Sequence, residues 1–459
     1  MAGRWLIDGS MAAVPSCFTL RRSLPNFHAM LFRLVLGLYR LLLPGFLLLA
    51  LPGWLLRMGK RGGFGSGLSE RFSIYRKPPE FEPCGAVHLH SVSVGETMIA
   101  VKLVRAWQAR EPSRCFVIAT GTATGHAVAC EAGLPNTRVT YAPVDFSPCI
   151  ARYLDRFEPS QIVLVEGEVW PRLLLTCGRR GIPVRLVNAR LSVRSERRYR
   201  KLAPLIRPLF GMLDRVAAQE LEDIARWEAM GVTRSKIVVT GSSKFDPGAA
   251  ILPMERAEFS EMLAGFGEGR PIVLAASTHS GEERWLGEAM RGNPALLVFV
   301  PRHAERRAEV REDLEGAGFE VVLRSAFHAP IAPEKACLVI DSTGELRDWT
   351  AHASVVVIGK SILGHGGQNP AEAILARRPL MFGPNMENFE PLAGSLVAGG
   401  GARRFADANA LRAGCDALME NALLREQQVE RATEVLARHR GATERILDLL
   451  GASSVERAF

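Results

Sequence analysis

Past an opening stretch that is apolar almost throughout, the hydrophobic positions of this chain gather into short runs separated by longer amphipathic segments. The runs AVHLH (86–90), CFVIAT (115–120), QIVLVEG (161–167), PVRLVNA (183–189), RVAAQ (215–219) and KIVVTG (236–241) read as strands, with helix-length stretches between them. Strand and helix in alternation predict a doubly wound parallel sheet of the α/β class. The rhythm breaks at Asp246 to Pro253 and resumes with PIVLAAS (271–277), ALLVFVP (295–301), EVVLR (320–324), ACLVID (336–341), SVVVIG (354–359) and PLMFG (379–383). Two Rossmann-like halves are expected, residues 61–246 and 247–405, with a helical tail over 406–459 to brace them. In open sheets of this kind ligands bind beyond the carboxyl ends of the strands, so chemistry is to be sought in the residues that follow each run.

From Leu31 the opening stretch reads LFRLVLGLYRLLLPGFLLLALPGWLLRMGKRGG. Its longest uncharged apolar run, Leu41 to Leu56, falls a little short of the about 20 residues that cross a bilayer. Extension back to Leu34 reaches that length but encloses Arg40, which costs about 3 kcal/mol in lipid unless it snorkels to the interface. Residues 30–60 are therefore read as a membrane anchor helix, either spanning or interfacial. Arg57, Lys60 and Arg61 follow it, which places the two halves on the cytoplasmic side. A cleaved signal peptide fits less well, because no clear small-residue cleavage site follows Leu56. Residues 1–29 form an extension without a recognisable role, and Met30 is an alternative start.

A chain of 459 residues, 47% hydrophobic and 23% charged, has material for two sizeable cores and little room for long disordered tracts. Its formal net charge of +9 favours an anionic partner: nucleic acid, a phospholipid surface or a phosphate-bearing substrate. The 8 cysteines are scattered, without CxxC or Cys/His spacing, so they predict reduced structural thiols and no metal site.

Two strand ends carry carboxylates. SVSVGET puts Gly95 and Glu96 at a strand-to-helix turn, where Glu96 either faces the cleft or simply favours the helix start through the macrodipole. VEGEVWPR places Glu166 and Glu168 beside Trp170 and Pro171, and a first-turn Pro171 explains Glu168 better than it explains Glu166. These segments, with TGTATG (120–125), YAPVD (141–145), EGEVWP (166–171) and NARLS (188–192), resemble the Kdo (3-deoxy-D-manno-octulosonic acid) transferase family. In the second half GSSKFD (241–246), ASTHSGEE (276–283), VPRHAERR (300–307), DSTGEL (341–346) and GGQNPAEA (366–373) continue the resemblance in the same order.

The resemblance implies the GT-B fold: two Rossmann-like domains facing across a cleft, the first for the acceptor and the second for the nucleotide sugar. It implies an inverting transfer of Kdo from CMP-Kdo to a glucosamine hydroxyl of a lipid A precursor, lipid IVA, in lipopolysaccharide biosynthesis at the inner membrane. Glu96 would be the general base, with Glu166 and Lys244 supporting the transition state. Matched donor positions are Pro301, Arg302, Thr343, Gly344, Glu345 and the run Asn369, Pro370, Ala371 and Glu372. There Arg302 can pair with phosphate, a helix start near Asn369 can offer backbone N–H groups, and Glu372 can accept ribose hydroxyls. His279, His303 and His365 lie in the same loops as contacts or as packing residues. The basic run RLSVRSERRYRK offers Arg190, Arg194, Arg197 and Arg198 either as a solvated helix face or as a grip on the acceptor headgroup. Departures from the family pattern are Gln368 for His, Ser242 and Ser243 for Asn-Leu, and Arg172 for Asn.

No cofactor or metal is expected, and the expected partners are CMP-Kdo, the lipid A precursor and the membrane surface; protein partners are not legible. The same fold also hosts UDP-sugar transferases and epimerases. A membrane-docked scaffold or nucleic-acid binder is disfavoured by the absence of recognised nucleic-acid motifs and by polar residues concentrated after strands.

Overall fold

The computed structural model describes residues 66–75, 85–167, 169–191, 193–249, 252–328 and 335–451, together with Leu34, Gly37, Tyr39, Leu41, Leu42, Gly45, Leu49, Pro52 and Gly53. Two parallel sheets organise them. In the first half run β1 (Val87–Ser91), β2 (Phe116–Thr120), β3 (Thr137–Tyr141), β4 (Gln161–Val165), β5 (Val184–Ala189), β6 (Arg215–Ala218) and β7 (Ile237–Val239), ordered β3-β2-β1-β4-β5-β6-β7. In the second run β8 (Ile272–Thr278), β9 (Leu296–Pro301), β10 (Glu320–Leu323), β11 (Ala336–Val339), β12 (Val355–Ile358), β13 (Leu380–Phe382) and β14 (Arg403–Arg404), ordered β10-β11-β9-β8-β12-β13-β14.

The central strands β1, β2 and β4 are buried along their whole length. Burial on both faces is why they read as unbroken apolar runs. Two strands were not legible as such runs. The mixed edge strand TRVTY of β3 is only part-buried, and β14 is a two-residue edge.

Each sheet is packed on both faces by helices: one side of the first sheet buries Phe157, Leu174, Phe210 and Trp227, and the other Leu103, Trp107 and Ile446. The tail is divided between the halves. Helices Ala408–Glu420 and Ala422–Ala437 pack on the second sheet, through Leu411 and Leu436 among others. Helix Ala442–Gly451 returns to the first, placing Ile446, Leu447 and Leu450 beside Val87 and Leu89. Asp246, at the break between the halves, accepts the backbone N–H groups of Gly441 and Thr443 at 3.0 and 2.9 Å, which pins the returning chain to the linker.

Most of the segment read as an anchor, the extension before it and Glu168 lie outside the described residues. Among the described residues no helix is long and apolar enough to cross a membrane.

Candidate active site

In the first sheet the chain leaves β1 and β4, which are neighbours, toward opposite edges, so a crevice opens beyond their carboxyl ends. Both ends carry a glutamate. Ser93 caps the helix Val94–Arg110, and its hydroxyl oxygen accepts the Glu96 N–H at 3.3 Å. The Glu96 carboxylate reaches back to accept the Val92 N–H at 2.6 Å and the Ser93 hydroxyl at 3.0 Å. This is a reciprocal capping arrangement that fixes the rotamer and orients the carboxylate. Closeness of the neighbouring loop requires glycine: a Cβ on Gly121 would meet Val92 Cα at 2.9 Å, and one on Gly125 would meet Thr97 Oγ1 at 2.8 Å. The glycines of TGTATG thus let the second crossover pack against the loop that carries Glu96.

Glu166 follows β4 with φ of 65°. A non-glycine residue in the left-handed region is strained, and the surrounding ladder holds it there: its N–H donates to Val187 O and its carbonyl accepts from Arg190 N–H, both at 2.9 Å. Among the described residues no hydrogen bond reaches its carboxylate. Asn188, also left-handed at φ 51° and fully buried, accepts the Ser243 N–H at 2.9 Å and the Ser242 hydroxyl at 3.1 Å through Oδ1. Lys102 Nζ donates to Ser243 O at 2.6 Å. These bonds hold the turn Ser243–Phe245 and so place Lys244, and they give Ser242 a role in a position where the family pattern has another residue.

Lys244 Nζ lies 4.2 Å from the Phe389 ring centroid on the opposite half. Loss of hydration among the cleft walls lowers its ammonium pKa, Glu166 opposes that, and Arg190 adds to it. Arg190 bridges the halves by donating to the carbonyls of Asn388, at 2.9 Å, and Glu387. Its guanidinium is therefore engaged across the cleft. Arg197 and Arg198 are exposed on the helix Val193–Lys201, and Arg194 contributes its backbone to that helix.

In the second sheet the crevice lies beyond β8 and β12. Here Ser277 and Lys360 are left-handed, at φ 57° and 54°, and a Cβ on Gly359 would meet Ser277 O at 2.5 Å. Glu282, fully buried, closes the gap by accepting the N–H groups of His279 at 3.0 Å, Lys360 at 2.6 Å and Ile362 at 3.1 Å. Beside it, buried Glu283 accepts from Thr278 Oγ1 at 2.7 Å and Arg306 Nη1 at 3.0 Å. Within VPRHAERR it is thus Arg306 that is consumed internally, while Arg302 follows the buried Pro301 with an exposed guanidinium that no described residue hydrogen-bonds. Burial raises the Glu372 carboxyl, and Arg302 and Arg347 oppose the rise. Asn369 Oδ1 accepts the Ala371 N–H at 3.1 Å, which starts the short helix Ala371–Leu375 after Pro370.

Thr343 and Gly344 form an exposed turn, with Gly344 at φ 83°. The Glu345 carboxylate is held by Ser342 and by Arg324 Nη2 at 2.7 Å. His279 and His303 stand 6.2 Å apart between ring centroids, and His365 Nδ1 lies 3.2 Å from Glu387 Oε1.

Between the halves lies a cleft of about 990 Å³, lined among others by Gly95, Lys102, Lys244, Arg302, Gln368, Asn369 and Glu372. It brings the loop of Glu96 together with Lys244, Arg302 and the Asn369–Glu372 segment, while Thr343 to Glu345 stand outside its lining. A second concavity of about 810 Å³ lies at the amino ends of β8, β12 and β13, away from both crevices. Sequence reasoning missed Lys102, Asn188, Glu282 and Glu283. Paired glutamates opening a helix were the one visible signal for the last two, and the strand-end asparagine of NARLS the one for Asn188. Among the described residues no group of three His, Cys, Asp or Glu is placed to hold a metal ion.

Residues 66–247 match the profile of the family described as 3-deoxy-D-manno-octulosonic-acid transferase (kdotransferase). Over 417 residues the chain is 34% identical to the 3-deoxy-D-manno-octulosonic acid transferase of Bordetella pertussis, covering 86% of this chain and 94% of that one. It is 31% identical over 389 residues to the enzyme of the same name from Haemophilus influenzae, covering 83% and 90%. Among solved structures it is similar to a UDP-GlcNAc 2-epimerase from Neisseria meningitidis bound to UDP-GlcNAc, with a TM-score of 0.51 and 13% identity over 80% of this chain and 99% of that one. That last likeness shows the two-domain fold alone.

Proposed function

The chain belongs to the 3-deoxy-D-manno-octulosonic acid transferase family and is a glycosyltransferase, and from that premise we propose that it moves Kdo from CMP-Kdo to a glucosamine hydroxyl of a lipid A precursor. The observation that carries the reading is the cleft itself, which Lys244 and Arg302 line together with Gly95 of the Glu96 loop, while the Glu166 charge acts on Lys244. Glu96 takes the proton from the acceptor hydroxyl as that oxygen attacks the anomeric carbon of Kdo. The bond from that carbon to the CMP phosphate breaks on the opposite face, and configuration inverts. General-base help of this kind is worth roughly 10²- to 10⁴-fold in rate.

CMP leaves with its negative charge met by Lys244 and Arg302, and Glu166 supports positive charge developing on the sugar. The scheme draws on no metal ion or organic cofactor. Arg302, Asn369 and Glu372 hold the nucleotide, the last through ribose hydroxyls. The work takes place at the cytoplasmic face of the inner membrane, where the lipid acceptor resides. In this reading Arg197 and Arg198, both exposed on their helix, meet its phosphates.

One observation favours a second reading of the base. The Glu166 carboxylate has no hydrogen-bond partner among the described residues, whereas that of Glu96 is held by Val92 and Ser93. In that reading Glu166 takes the proton and Glu96 only positions the loop.

The test is a mass assay with purified protein, lipid acceptor and either CMP-Kdo or UDP-sugars. A product heavier by Kdo, formed from CMP-Kdo alone, is expected. Turnover of a UDP-sugar with CMP-Kdo untouched would overturn the assignment.

A further inference from the structure

Lys244 is the exposed residue of the turn Ser243–Phe245, and its two neighbours in that turn are buried. Three side chains hold the turn in place. Asn188 and Lys102 reach it from the first half, through the Ser243 N–H at 2.9 Å and the Ser243 carbonyl at 2.6 Å. The third, His439, comes from the tail: its Nδ1 accepts the Ser242 N–H at 3.1 Å across 197 positions of sequence.

His439 lies between the helix Ala422–Ala437, whose Leu436 joins the core of the second half, and the helix Ala442–Gly451, whose Ile446 joins that of the first. This crossing is seated closely on the segment that carries Lys244. A Cβ on Gly241, at φ 77°, would meet His439 Cα at 3.1 Å, and Arg445 Nε donates to Thr240 O at 2.9 Å. With the bonds from Gly441 and Thr443 to Asp246, the crossing is fixed to both ends of residues 240–246.

The imidazole is 2% exposed, and its ring centroid lies 5.7 Å from that of Phe245. An accepting Nδ1 requires the proton on Nε2, which faces Glu220 Oε1 at 3.5 Å. Burial, with Arg438 and Arg445 adding to it and Asp246 opposing, lowers the ring to about 4, so at neutral pH it is uncharged and keeps the Nδ1 lone pair. An apolar side chain would fill this space against Phe245 without burying a polar ring. What the histidine adds is an acceptor for one N–H, two residues before Lys244.

We propose that His439 is a positioning residue for Lys244: by holding the Ser242 N–H, the tail crossing between the halves sets where the ammonium stands in the cleft. The proposal rests on the reading of Lys244 as a cation that meets the departing phosphate. A displacement of about 1 Å in a group that acts on the transition state costs roughly 10²-fold in rate, so the bond bears on kcat.

Two substitutions separate an acceptor from a filler. His439→Asn keeps an acceptor atom near the place of Nδ1 and gives up the packing of the ring, whereas His439→Leu keeps apolar bulk and gives up the acceptor. The measurement is kcat for Kdo transfer at saturating CMP-Kdo and lipid acceptor, with folded protein counted by CMP binding, in the parent and in Lys244→Ala. Expected is a fall of roughly 10- to 10²-fold for His439→Leu, most of the parental kcat kept by His439→Asn, and no further fall when His439→Leu is added to Lys244→Ala. A Leu variant at least as active as the Asn variant overturns the proposal, as does the same fold-loss in both backgrounds, and either result leaves the role of Lys244 standing. Parental turnover by Lys244→Ala overturns that role and the proposal with it.

Discussion

The two crevices of this molecule are built on the same plan and finished differently. In each, neighbouring parallel strands part, and a carboxylate sits on the helix that follows the first of them. In the second half that carboxylate, Glu282, is sealed: it is fully buried and accepts three backbone N–H groups from two loops. In the first half the Glu96 carboxylate is held by the Val92 N–H and the Ser93 hydroxyl, and no hydrogen bond from the described residues reaches the Glu166 carboxylate. A sealed carboxylate stabilises a rigid cradle, whereas one without a hydrogen-bond partner among the described residues, as Glu166 is, keeps lone pairs for a proton or a cation. The contrast puts rigidity in the second half and, under the proposed reaction, chemistry in the first.

Three experiments bear on that contrast, in descending order of expected effect. Lys244→Ala removes a cation whose charged form Glu166 favours, and kcat for Kdo transfer should fall roughly 10²- to 10³-fold with the melting temperature nearly unmoved. A drop in melting temperature with kcat intact would make Lys244 structural. Glu282→Ala should act the other way. It strands three backbone donors and should remove about 3 kcal/mol of stability in urea titrations, while Glu166→Gln shifts stability by less than about 0.5 kcal/mol. Equal losses in the two variants would erase the distinction between the crevices.

Acid bears on the first half as well. Burial on β1 lowers His88 to about 3 and His90 to about 4. Both values lie below the ~6.5 of an unfolded histidine, so as pH falls through 6.5 the unfolded chain takes up protons that the folded one refuses. Stability of the first half should therefore decline from about pH 6.5 toward pH 4, by about 2 kcal/mol per histidine at pH 5. Urea midpoints at pH 7 and pH 5 measure it, and His90→Gln should flatten the decline. A flat profile in the parent would contradict the neutral, buried histidines.

Much of this scaffold was legible in the residue order. Apolar runs marked β1, β2, β4 and most of the others because strands covered on both faces have no polar side to interrupt them. The edge strand TRVTY was not legible, since its part-buried positions are mixed in polarity. Strand ends pointed to Glu96 and Glu166, because crevices form there, and the family resemblance added Lys244 and Arg302. The pattern could not show that Asn188 would hold the Lys244 turn 55 positions away, nor that Glu282 would reach Lys360 across 78. Arg190 illustrates the converse. Its place in a basic run suggested a solvated face or a grip on the acceptor headgroup, and its role as a bridge to Glu387 and Asn388 depends on how the halves face each other.

The central claim is that Glu96 takes the proton from the acceptor. Glutamine at this position keeps the helix cap, so the variant isolates the charge. The decisive measurement is kcat for Kdo transfer at saturating CMP-Kdo and lipid acceptor for Glu96→Gln beside Glu166→Gln. The account predicts a fall of roughly 10²- to 10⁴-fold for Glu96→Gln, with unchanged CMP affinity and melting temperature, and a smaller fall for Glu166→Gln. Parental turnover by Glu96→Gln together with an inactive Glu166→Gln would contradict it and move the base to the end of β4.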